Sequence, residues 1–244
     1  MRLFCFPYAG GNSSIFRGWS DGPLKGIATH AVELPGRQTR FHEPPIGRMD
    51  DLVNLLLREL APWFDPPFAF FGHSMGALIA FALTQELRRR GLRQPCHLLV
   101  SARAAPHLKR PAQALHQLPD ADFLREVAAI IRPPSDPQAQ EELLRLMLPT
   151  LRADVALCET YAPRLEAPLS IPIAAFGGIW DGSLSTNELG AWRAHTRGEF
   201  SLWQFPGDHH FVESASASLR ETIGKLLGPR GGAPAGARAD DHEA

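Results

Sequence analysis

The sequence predicts an α/β fold in which a mostly parallel central sheet is flanked by helices and a helical segment is inserted late in the chain. Three observations predict it. Short apolar runs alternate with amphipathic helical patterns. A glycine-flanked serine lies directly between one such run and one such helix, and the strand rhythm stops across about residues 111–168.

Apolar runs at residues 3–7, 29–34, 68–71, 97–101, 173–176 and 201–205 read as strands, most of them closed by Gly, Pro or a polar residue. Residues 49–63 put Leu52, Val53, Leu56, Leu57 and Leu60 on one face, and residues 77–90 carry an apolar stripe to a basic end. Both read as helices packed on the sheet. The inserted segment has helical patterns at residues 120–131 and 140–147 and no convincing strand, so it is expected to form a lid over a cleft, with Pro133-Pro134 marking a break. Residues 228–244, rich in Gly, Pro, Ala and charge, read as a disordered tail. A chain of 244 residues, 44% hydrophobic and 21% charged, fits one domain over residues 1–227 rather than two.

With 25 basic and 26 acidic side chains the formal net charge is -1, so no global field gathers nucleic acid or an anionic membrane. Three cysteines, Cys5, Cys96 and Cys158, are widely spaced with no metal-ligand pattern, which suggests reduced thiols and no metal centre. The first apolar run is too short for a secretory signal and is broken by Pro7 and Gly10-Gly11. No run is long enough to span a bilayer. A soluble, cytoplasmic protein is the expectation.

The chemistry centres on Gly72-His73-Ser74-Met75-Gly76. The bare G-x-S-x-G pattern is common, but a strand before it and a helix after it make it a nucleophile turn, in which the glycines remove side chains that would collide and Ser74 is pushed into the open. The helix N-terminus faces the same place, so the Met75 backbone N–H is a candidate oxyanion donor. The second donor is expected from the loop after the first strand, Phe6-Pro7-Tyr8-Ala9-Gly10-Gly11, with the Ala9 N–H preferred. Tyr8 and His73 are the candidate substrate contacts beside these donors. A serine needs a base and the base needs a carboxylate, in chain order Ser, Asp, His for this arrangement. Asp181, in Gly177-Gly178-Ile179-Trp180-Asp181-Gly182, follows the fifth apolar run. The base lies in Pro206-Gly207-Asp208-His209-His210-Phe211, where His209 is preferred and His210 remains open.

These residues together resemble the type II, stand-alone thioesterases that accompany polyketide synthases and nonribosomal peptide synthetases, members of the α/β-hydrolase superfamily. The likeness runs from Leu3 to about Leu226 and includes Leu34-Pro35-Gly36-Arg37, Ser101-Ala102-Arg103-Ala104-Ala105-Pro106 and Leu151-Arg152-Ala153-Asp154 besides the motifs above. The family pattern has an aromatic or aliphatic residue after its histidine; His210 departs from that but falls at that next position, so the resemblance supports His209 as the base. The resemblance implies hydrolysis of acyl groups from the phosphopantetheine arm of an acyl or peptidyl carrier protein, through an acyl-serine and without a metal or bound cofactor.

Carrier proteins are commonly acidic, which makes Arg88-Arg89-Arg90 and Lys109-Arg110 candidate docking residues, although basic residues at a helix end are more simply a solvated terminus. Arg37 and Asp154 read more simply as an ion pair or loop anchor than as substrate contacts. Phe123, Leu124, Leu144 and Met147 could line an acyl tunnel, but at helical spacing they read first as a small core within the insertion. Two rivals stand beside the thioesterase reading: a carboxylesterase or lactonase of the same fold, and a non-catalytic binding protein that keeps it.

Overall fold

The computed structural model describes residues 1–65, 67–108, 114–128 and 137–228. The proposed tail from residue 229 onward, Lys109-Arg110 and Pro133-Pro134 lie outside the described residues.

Six strands form one sheet in the order β2-β1-β3-β4-β5-β6. They are β1 (Arg2–Phe6), β2 (Ala28–Ala31), β3 (Phe68–His73), β4 (Leu98–Ser101), β5 (Ile173–Gly178) and β6 (Phe200–Phe205). Every neighbouring pair is parallel. All six apolar runs of the sequence are strands; the four inner ones, β1, β3, β4 and β5, are buried, since a parallel sheet covered on both faces needs both alternating side-chain sets to be apolar, whereas the edge strands β2 and β6 are partly exposed. One set, with Phe4, Phe6, Phe68, Phe70, Leu98, Val100 and Ile173, packs against helices α1 (Met49–Leu60) and α2 (Met75–Arg89). The other, with Leu3, Cys5, Ala69, Phe71, Leu99 and Phe176, packs against Trp19, Leu24 and the C-terminal helix α7 (Ser216–Leu227) through Leu219, Ile223 and Leu227. The cysteines carry no disulfide.

Helix α2 is buried from Met75 to Leu87, so it is the central strut of its layer rather than a surface helix. The inserted region holds α3 (Asp120–Ala128) and α4 (Pro137–Thr160), with the short α5 (Thr186–Gly190) and α6 (Phe211–Ser214) further on. Helix α4 is much longer than the pattern at 140–147 suggests and runs through Pro149. Phe123, Val127, Leu144, Leu151 and Val155 form a separate cluster with Leu124 and Met147 against it. These side chains are therefore core of the α3–α4 unit. Leu157, near the end of α4, is instead buried in the main core. Among the described residues no helix is long and apolar enough to cross a membrane.

Because all strands run the same way, the ends of β1, β3, β4, β5 and β6 open on one edge. The chain leaves β1 for β2 on one side and returns to β3 on the other, so the order reverses between β1 and β3. A crevice outside the carboxyl ends at such a switch point is where ligands of open α/β sheets bind.

Candidate active site

Ser74 stands at that switch point, in the step from β3 to α2, with φ 54° and ψ -111°. Such a backbone costs a non-glycine residue about 1–3 kcal/mol. Surrounding contacts hold it: Ser74 N–H donates to Ser101 O at 2.7 Å, and Ala77 N–H donates to Ser74 O at 3.0 Å. A Cβ on Gly72 would strike the Gly76 carbonyl, and one on Gly76 would strike the Phe6 carbonyl. The two glycines thus let the turn close on itself and let the root of the β1 loop lie on the first turn of α2. Met75 is the first residue of that helix, where a backbone N–H has no intrahelical acceptor.

The loop after β1 forms a turn closed by Gly11 N–H donating to Tyr8 O at 2.9 Å. Gly10, at φ 74°, supplies the positive φ that the third position of a type II turn requires. Tyr8 O faces into the turn, so the N–H of Ala9 on the same planar peptide points outward.

Ser74 Oγ lies 3.0 Å from His209 Nε2, and His209 Nδ1 lies 2.7 Å from Asp181 Oδ2. His209 is the histidine in this chain of contacts. The neighbouring His210 is buried with its ring edge-on to Tyr8 at 5.0 Å. The Asp181 side chain is 2% exposed and that of His209 24%. Burial alone would raise the Asp181 carboxyl, but hydrogen bonds from His209 and Ser183 outweigh it and hold it at about 2, below the ordinary 3.8. An ionised Asp181 accepts the Nδ1–H of His209, which leaves Nε2 as the acceptor for the Ser74 hydroxyl. The loops meet because Gly178 lacks a side chain that would strike the Asp208 carbonyl, and Trp180 N–H bonds to Gly207 O at 2.9 Å.

One expectation is corrected. His73 does not face a substrate: it is fully buried, with Nδ1 2.8 Å from Ser101 Oγ and Nε2 2.8 Å from the carbonyl of His209. Burial, then the charge of His209, lowers its pKa well below 6.5, so the ring is neutral. Only the tautomer with hydrogen on Nε2 donates to the carbonyl, and Nδ1 then accepts from Ser101. His73 therefore pins the backbone of His209. Tyr8 also departs from a simple substrate contact, since its hydroxyl donates to Glu213 at 2.6 Å and its ring packs on His73 and His210.

Ser183 and Glu213, and the role of Ser101, escaped the sequence reading. For Ser183 a signal existed: Asp181-Gly182-Ser183 is an Asx-turn pattern, and Asp181 Oδ1 accepts from Ser183 N–H at 3.0 Å and Oγ at 2.6 Å. The basic run at the end of α2 is occupied internally: Arg88 bonds to Glu166 and to the carbonyls of Ala167 and Pro168, while Arg89 and Arg90 bind Glu86. It also sits a helix length from Ser74, about 20 Å. A cleft lined by Arg48, Asp50, Gln85, Glu86 and Tyr161 lies toward that same remote end and serves no group of the serine site. Among the described residues no cluster of three or more His, Cys, Asp or Glu forms a metal site.

Residues 1–227 match the family model described as "Thioesterase domain". The chain belongs to the thioesterase family. Its activity class is therefore hydrolysis of thioester bonds. The thioesterase is 39% identical over 227 residues to the gramicidin S biosynthesis protein GrsT of Aneurinibacillus migulanus, across 93% of this chain and 89% of that relative. Among solved structures it superposes on RedJ, the thioesterase from the prodiginine biosynthetic pathway in Streptomyces coelicolor, with a TM-score of 0.85 and 36% identity, covering 93% of this chain and 85% of that one. The type II thioesterase BorB from the borrelidin biosynthetic cluster matches with a TM-score of 0.83 and 34% identity, covering 93% and 92%. The six-stranded parallel sheet flanked by helices is the α/β-hydrolase fold of these neighbours.

Proposed function

We propose that this thioesterase removes acyl groups from the phosphopantetheine arm of acyl or peptidyl carrier proteins, clearing stalled or misprimed chains in polyketide or nonribosomal peptide biosynthesis. It works in the cytoplasm beside its synthase, with no nucleic acid or membrane partner. Ser74 Oγ attacks the thioester carbonyl as His209 Nε2 takes its proton, and Asp181 stabilises the imidazolium that forms. The N–H groups of Met75 and Ala9 stabilise the oxyanion. The pantetheine thiol leaves with the proton from His209. A water molecule, deprotonated by the same nitrogen, then attacks the acyl-serine and releases the free acid.

The observation that carries this reading is the unbroken hydrogen-bond chain from Ser74 through His209 to Asp181, built on a serine in a strained turn. The carrier substrate is supported by the biosynthetic roles in the names of the relatives. One triad and one oxyanion hole serve both thioesters and oxygen esters, so the deciding experiment compares hydrolysis of acyl-carrier-protein thioesters with matched p-nitrophenyl esters. The account expects the carrier substrate to have the higher kcat/KM. Equal or lower turnover of the carrier substrate would point to a carboxylesterase or lactonase, and a folded chain that a fluorophosphonate probe does not label would point to a binding protein.

A further inference from the structure

We propose that Asp154, backed by Arg37, is a positioning pair that sets the oxyanion loop, so that helix α4 holds the Ala9 N–H in place for the reaction at Ser74. This rests on the reading of Ala9 as an oxyanion donor.

The pair crosses three parts of the chain. Asp154 lies on α4, Arg37 lies in the loop after β2, and between them sits the Tyr8–Gly11 turn. Arg37 grips Asp154 with both ends of its guanidinium, Nη2 to Oδ1 at 2.8 Å and Nη1 to Oδ2 at 3.1 Å. The same groups also hold the turn: Gly10 N–H donates to Asp154 Oδ2 at 2.8 Å, and Arg37 Nη1 donates to Gly11 O at 2.9 Å. Thr150, one turn earlier on α4, donates to Gly36 O at 2.7 Å and fastens the Arg37 loop to the same helix.

Stability alone is a poor reason for this arrangement. Asp154 and Arg37 are 2% and 6% exposed, and a buried ion pair can often be replaced by apolar side chains without loss of stability. What an apolar pair could not do is fix peptide orientation. The peptide before Ala9 is fixed by Gly11 N–H on Tyr8 O, and the peptide after it by Gly10 N–H on Asp154. With both neighbours held, the Ala9 N–H has one direction. The other end of the loop is fixed independently, where Phe6 and Pro7 pack on Gly76 at the start of α2. The loop that carries the Ala9 N–H is thus held by two separate anchors, and Asp154 with Arg37 is one of them.

The pair touches none of Ser74, His209 or Asp181, which makes its role separable. Asp154→Asn, Asp154→Ala and Arg37→Lys would be assayed with a p-nitrophenyl ester and its thionoester, in which sulfur replaces the carbonyl oxygen. Sulfur is a weak hydrogen-bond acceptor, so an intact oxyanion hole favours the oxygen substrate. Asp154→Ala should lower kcat for the oxygen ester by about 100-fold with little change in KM. The oxygen-to-sulfur rate ratio should collapse toward unity, while the midpoint of the kcat/KM pH profile stays at its wild-type value. Arg37→Lys keeps the charge but loses the fork, and should fall between. A wild-type oxygen-to-sulfur ratio in Asp154→Asn and Arg37→Lys would overturn the proposal whatever their rates, and these two variants decide the matter if Asp154→Ala does not fold. Ser74→Ala in the same series keeps the two readings apart: its full activity would refute the catalytic assignment itself, whereas an inactive Ser74→Ala beside unaltered ratios would refute only the positioning role.

Discussion

At the scale of single residues, adjacency in sequence and adjacency in chemistry part company. Gly72-His73-Ser74 reads as a nucleophile with a histidine beside it, yet the strand pleat turns His73 inward while Ser74 leaves the sheet. The base comes from the far end of the chain, and His73 serves it by holding its carbonyl. His73→Leu keeps the volume and removes both polar contacts; kcat should fall between about 10- and 100-fold with KM nearly unchanged, because a small displacement of His209 suffices. Steady-state kinetics check this, and an unchanged kcat would contradict it. Ser183→Ala should lower kcat about fivefold, the loss of roughly 1 kcal/mol in the orientation of Asp181. His209→Ala should abolish nearly all turnover and His210→Ala should not, measured side by side. That assignment was legible in part: the Pro206–Phe211 stretch offered both histidines with His209 preferred, and the turn that brings His209 to Asp181 supplies the geometry the sequence could not.

At the scale of elements, the inner strands β1, β3, β4 and β5 were legible because burial on both faces writes them as plain apolar runs, while the partly exposed edge strands β2 and β6 were legible from their place in the alternation with helices. The long α4 was not. Its sequence pattern is interrupted by Pro149, which a linear reading takes as a stop, whereas here the proline is exposed and the helix continues through it. The same helix changes character along its length. Leu144 and Leu151 pack within the α3–α4 unit, while Thr150, Asp154 and Leu157 fasten it to the loops and the main core. The turn between β3 and α2 makes a sharper prediction. Gly76→Ala puts a methyl group against the Phe6 carbonyl and should destabilise the fold by about 3 kcal/mol, read as a drop in the midpoint of urea unfolding. A midpoint equal to that of the wild type would mean that the close approach is not needed.

At the scale of the whole molecule, the reversal of strand order between β1 and β3 gathers the oxyanion loop and the nucleophile, while β5 and β6 deliver the acid and the base to the same edge of the sheet. This assembly leaves a mark on stability. The Asp181 carboxyl is held at about 2 in the fold against an ordinary value of 3.8. A depressed carboxylate stabilises the folded state above its unfolded pKa and loses that contribution as the pH falls through the folded one, so roughly 2 kcal/mol should disappear between about pH 4 and about pH 2. Thermal unfolding of the wild type against Asp181→Asn across that range checks it: the variant should lose less stability on acidification. Most direct of all is rapid-quench mass spectrometry of the intact chain mixed with an acylated carrier protein. The account predicts a transient adduct of one acyl group, mapped to the peptide containing Ser74 and absent in Ser74→Ala, with free acid appearing as the adduct decays. Steady hydrolysis by Ser74→Ala, or an acyl group found on another residue, would contradict it.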